Sequence, residues 1–150
     1  MTTHSSSQSP LEDIRVNVKL KLAALWTSLM FLVIYVDYFH LYMPGALSGL
    51  LQGKAFVFEI TQAFLLLVLT TVSLPALMIF LSLALPAKVN RCTNIIMAAL
   101  YIPYLAFNLA GETWLHMLFG ALVEAGLLCL ILRYAWNWPR LKQEKSDNTI

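Results

Sequence analysis

Six ionisable side chains that could hold a proton, a polar solute or a metal stand inside or beside long apolar runs. They are Asp37, His40, Glu59, Glu112, His116 and Glu124. Asp37 and His40 are three residues apart, as are Glu59 and Gln62. Glu112, His116, Gly120 and Glu124 recur every four residues, and Tyr101, Tyr104 and Asn108 follow at three and four. Spacings of three and four set side chains on one face of a helix. Each apolar run therefore carries one polar stripe. Ionisable groups in such surroundings are costly and usually face a bundle interior or a water-filled cavity.

Three chemistries fit these residue types. Carboxylate and imidazole together can bind or pass a small polar ligand or protons, with Glu124 as the titrating group. The same groups suit Zn²⁺ or Fe²⁺, but no H-E-x-x-H motif accompanies them, and neither metal nor cofactor is expected. The stripe can also serve only to join helices by hydrogen bonds. The tentative ligand-binding set is Asp37, His40, Glu59, Gln62, Tyr101, Asn108, Glu112, His116 and Glu124. No nucleophile–base pair and no phosphate loop is present, so an enzyme is not the expectation.

The elements that must position these groups follow from composition. Of 150 residues, 59% are hydrophobic and 12% charged, where a soluble domain carries roughly 25% charged residues. Mean hydropathy is +0.71. Lipid must be the solvent, and a net charge of +2 is too weak to suggest nucleic acid. A helix needs about 20 apolar residues to cross a bilayer core. Runs over about 22–43, 60–85, 93–110 and 113–134 qualify. They lack the alternation of barrel strands. An all-α, up-down four-helix membrane bundle is predicted over 19–138, with tails 1–18 and 139–150.

All of the ten lysines and arginines but one, Lys54, flank the first span's start, the second loop or the fourth span's end. The positive-inside rule then puts both termini in the cytoplasm of a multi-pass cell-membrane protein. Span one is read as uncleaved, since a polar stretch precedes it and no small-residue site follows. At 1.5 Å per residue, Asp37 lies about 21 Å and His40 about 25 Å along the helix from Ala23, while His116 is about 5 Å and Glu124 about 16 Å in from Thr113. These depths predict a polar pocket in the outer half, floored by Glu124.

Ser9-Pro10-Leu11-Glu12 reads as a capping box, and Leu11, Ile14, Val18 and Leu22 share a face, which predicts a short amphipathic helix before span one. In the loop 44–58, Gly45, Gly49 and Gly53 recur every four residues. That pattern allows close backbone approach, and an interfacial or shallow re-entrant helix is predicted there; a plain flexible loop is the competing reading. Pro75 and Pro103 fall inside spans and can kink them. Cys92 and Cys129 show no metal or redox spacing and are read as packing residues. A homo-oligomer is expected to supply any transport path, because one small bundle has little room for it.

Asp13-Ile14-Arg15-Val16, Lys21-Leu22, Leu25-Trp26, Tyr35-Val36-Asp37 and Pro44-Gly45, with Leu85-Pro86-x-Lys88-Val89-Asn90-Arg91 and Tyr134-Ala135-Trp136-x-Trp138-Pro139, resemble a bacterial family of four-span membrane proteins of unknown function. The match extends over residues 11–140. The layout is also similar to that of the DoxX-like group, where a short outer helix follows span one. That similarity implies, as an alternative to ligand binding, a quinone-linked redox component; a non-catalytic accessory subunit of a membrane complex is the other alternative.

Overall fold

The structure, a computed structural model, describes residues 14–55 and 58–139. Four long helices dominate: α1 (Val18–His40), α3 (Gln62–Ala84), α4 (Ala87–Leu109) and α5 (Leu115–Trp136). Each is long and apolar enough to cross a membrane. At 1.5 Å per residue they measure about 33 to 35 Å, which matches a hydrocarbon core of about 30 Å. The chain is an all-α four-helix bundle of a multi-pass membrane protein.

Local chemistry sets the helix ends. The Asn17 side chain caps α1 by accepting from Lys19 N at 2.9 Å. Residues 14–17 carry no helix, so the amphipathic helix expected before span one does not run through Ile14; Ser9 to Asp13 lie outside the described residues. Thr61 caps α3 through Phe64 N at 3.1 Å. The last carbonyls of a helix lack intrahelical partners and carry its negative pole. In α3 the Lys19 ammonium supplies both needs, donating to Leu83 O at 3.3 Å and Leu85 O at 2.6 Å. The turn to α4 is only Leu85 and Pro86, and α4 begins at Ala87, six residues ahead of the apolar run that opens at Thr93.

The connection between α1 and α3 holds a six-residue helix α2 (Ala46–Leu51) and a hairpin of β1 (Lys54–Ala55) with β2 (Phe58–Glu59). The hairpin has no counterpart in the sequence reading. Helix α2 buries no residue. Gly45 and Gly53 have φ of 89° and 77°, and a side chain at either would meet nothing within 4 Å. Helix α2 is the short helix expected in this loop, and Gly45 and Gly53 bracket it with the left-handed turn geometry that glycine tolerates.

Helix α1 packs against α3 on one flank and α5 on the other, and α5 packs against α4. The consecutive pair α3 and α4 touch least among these. The core lies almost wholly at one end, where α1 begins and α5 ends. It is built from Leu22, Trp26 and Leu29 of α1, Met78 of α3, Ala98 and Tyr101 of α4, and Leu128, Ile131 and Ala135 of α5. Toward the opposite end the buried positions thin to Met117, Gly120 and Ala121. There the apolar face of α3 stands open, with Leu65, Leu66, Leu67 and Leu69 each more than half exposed. Lipid is as apolar as leucine, so such a face needs no protein cover.

Candidate functional site

The seam between α1 and α5 brings several of the predicted residues together. Gly120 is buried on α5, and a Cβ there would lie 2.6 Å from Val36 Cγ2 on α1. Small residues let helix backbones approach closely, and here the missing side chain does so. The helices run antiparallel. His40 is one turn from Val36, and His116 one turn from Gly120, both toward the end that carries α2, so the two residues stand at the same level of the seam. Asp37 lies within electrostatic reach of both His40 and Glu124. Glu124, His40 and His116 are half-buried, and Asp37 is on the exposed flank of α1. His116 Nε2 is buried with no hydrogen-bond partner, and its ring meets Trp114 edge-on at 6.1 Å. A shallow depression lined by Thr113, Trp114, Leu115 and His116 opens at this end.

The remaining candidates stand elsewhere. Glu59 pairs with Lys54 in the hairpin register, and Gln62 begins α3; both are exposed. Asn108 is exposed near the end of α4, and Glu112 is half-buried in the turn before α5. The hydroxyls of Thr70 and Ser73 turn back to Leu66 O and Leu69 O of their own helix. This back-bonding satisfies them locally.

Tyr101 has a different partner. Its ring packs edge-on against Trp26 at 6.2 Å and Tyr104 at 5.4 Å, and its hydroxyl donates to Thr71 O. Proline 75 lacks the N–H that would otherwise bond the carbonyl four residues earlier. That carbonyl belongs to Thr71. The Tyr101 hydroxyl thus replaces the bond that Pro75 removes, tying α4 to α3 near mid-depth.

The most deeply buried polar cluster was not among the predicted residues. Trp26 Nε1 donates to Asn94 Oδ1 at 2.7 Å, and Ser82 Oγ donates to the same oxygen at 3.3 Å. Asn94 Nδ2 donates to Asn90 O at 2.9 Å and to Asn90 Oδ1 at 2.7 Å. Asn90 Nδ2 donates to Ser82 O at 2.5 Å. Ser82, Asn90 and Asn94 are fully buried. Every amide atom of the two asparagines has a protein partner, so the cluster clasps α1, α3 and α4 and leaves no donor for a ligand. Its sequence signal was an amide pair four residues apart at 90 and 94. Asn90 precedes the apolar run that opens at Thr93, so hydropathy does not mark it as part of a span.

Searches of curated proteins and of solved structures each find no match. Residues 12–145, most of the chain, match a family of unknown function, DUF6326. The chain belongs to the DUF6326 family, whose members have no assigned activity, and within that family it is a membrane protein with four apolar helices.

Proposed function

We propose that this protein binds a small cation, the proton included, at the seam between α1 and α5, reached from the outer side of the cell membrane. The close approach at Gly120 and Val36 carries the reading. It joins the stretch of α5 that carries His116 and Glu124 to the stretch of α1 that carries Asp37 and His40, and Asp37 and Glu124 lie within electrostatic reach of each other. Paired carboxylates in a low-dielectric setting attract cations, and ionisable groups within membrane helices occur along ion pathways and proton relays. The orientation rests on the basic residues: six of the seven described lysines and arginines lie at the end that holds the core, which is taken as cytoplasmic. Passage of the ligand, as distinct from binding, requires an assembly of copies.

The test is infrared difference spectroscopy on the purified protein between acidic and alkaline buffer. A carboxylic-acid C=O band appears on acidification, and Glu124→Gln or Asp37→Asn removes or shifts it while the helical content stays. A band untouched by both substitutions places the titrating carboxyl elsewhere and ends the seam reading.

A further inference from the structure

At the opposite end of the same two helices, the start of α1 and the end of α5 enclose a groove of about 350 Å³. Its polar lining is Lys21, Arg133, Tyr134 and Asn137, and its apolar lining includes Val16 and Val18. Lys21 is half-buried, and its ammonium sits 5.3 Å from the centre of the Tyr134 ring. That contact steadies the cation without using up its hydrogen-bond donors. Arg133 is exposed and presents a planar fork of N–H donors.

No carboxylate offsets these charges among the described residues. The four described acids, Asp37, Glu59, Glu112 and Glu124, all stand toward the other end. The nearest along a helix, Glu124, is about 14 Å from Arg133. Trp136 and Trp138 flank the groove along the chain, and tryptophan and tyrosine mark the depth of lipid headgroups. Two cations and an amide therefore surround a space at headgroup level, floored by valines.

We propose that this groove binds the phosphate headgroup of an anionic phospholipid. Lys21 and Arg133 pair with the phosphate, Asn137 donates to its ester or glycerol oxygens, and Val16 and Val18 meet the glycerol and first acyl carbons. Basic grooves at the membrane surface recognise anionic lipids by this chemistry. The inference depends on the membrane reading and is independent of the seam: Glu124→Gln leaves it unchanged.

The test is thermal unfolding of the full chain in neutral detergent with added phosphatidylglycerol, phosphatidylcholine or inorganic phosphate. Phosphatidylglycerol raises Tm; phosphatidylcholine and inorganic phosphate do not. Arg133→Gln and Lys21→Gln each cut the phosphatidylglycerol-specific rise by at least half. Lys21→Arg retains it, and Lys88→Gln, at the same end but outside the groove, leaves it whole. Equal rises with both lipids, or a rise that survives Lys21→Gln with Arg133→Gln, overturns the proposal. An equal rise with inorganic phosphate makes the groove a free-anion site and overturns the lipid assignment.

Discussion

Gly120→Ala is the sharpest test of the seam. The added methyl would lie 2.6 Å from Val36 Cγ2, about 1 Å inside ordinary van der Waals contact. Valine in a helix has one strongly preferred rotamer, so its methyl cannot swing clear cheaply. Overpacking of this kind costs about 1–3 kcal/mol. The same substitution returns about 1 kcal/mol of helix propensity, because glycine is the poorer helix former. The net expectation is a loss of roughly 0–2 kcal/mol. A single measurement near zero would therefore be uninformative, and the coupling to Val36 decides. In a Val36→Ala background the clash disappears, and Gly120→Ala becomes stabilising by up to about 1 kcal/mol. The coupling energy is then about 1–3 kcal/mol. Unfolding by sodium dodecyl sulfate in mixed micelles, followed by circular dichroism, measures all four corners of the cycle. Effects that add to within about 0.5 kcal/mol would show that the two positions do not touch, and the alignment of His40 with His116 would fall with them.

Asn94→Ala leaves the Trp26 indole N–H and the Asn90 amide oxygen buried without partners, at about 1–3 kcal/mol for each stranded group; the same unfolding assay reads the loss, and Trp26→Phe in the Asn94→Ala background recovers part of it. Tyr101→Phe strands the Thr71 carbonyl at a similar cost, whereas Pro75→Ala restores an N–H to that carbonyl, so Tyr101→Phe costs less in the Pro75→Ala background. Orientation is checked in intact cells with a membrane-impermeant maleimide on a background with both native cysteines replaced: Lys54→Cys reacts, while Pro139→Cys reacts only after the membrane is opened. The reverse pattern would invert the topology.

The four long helices were legible because their apolar runs are long and nearly free of charge, and no tertiary detail is needed to place them. The seam was legible in part. The spacing of four through His116, Gly120 and Glu124 marks a face, but only the close approach to Val36 shows that this face meets α1. What the sequence hid was the division of labour among polar residues. Thr70 and Ser73 share the stripe pattern of a site, yet their hydroxyls are spent on their own helix. Tyr101 shares it too, yet it answers the carbonyl of Thr71, thirty residues earlier, that Pro75 leaves bare. Asn90 and Asn94 look like loop and span-edge residues until α4 is seen to start at Ala87. Hydropathy reads the run from Thr93, but the two-residue turn after α3 starts the helix a turn and a half sooner. The glycines of the loop between α1 and α3 accompany the short helix expected there. Their period of four is that of a packed helix, while two of them are there for backbone angle alone.

The bond from Tyr101 to Thr71 also bears on how the chain enters the membrane. Hydrocarbon offers a bare carbonyl nothing to bond, at a cost of several kcal/mol. Helix α3 entering the bilayer alone carries such a carbonyl near its centre, because its partner lies on α4. Tyr101 follows the end of α3 by only 17 residues, more than half of the way along α4. Helices α3 and α4, joined by only two residues, are thus suited to leave the insertion channel as one hairpin, with α3 retained until its successor closes the bond. Insertion of α3 by itself should be less efficient than insertion of the pair, and Pro75→Ala should narrow that difference.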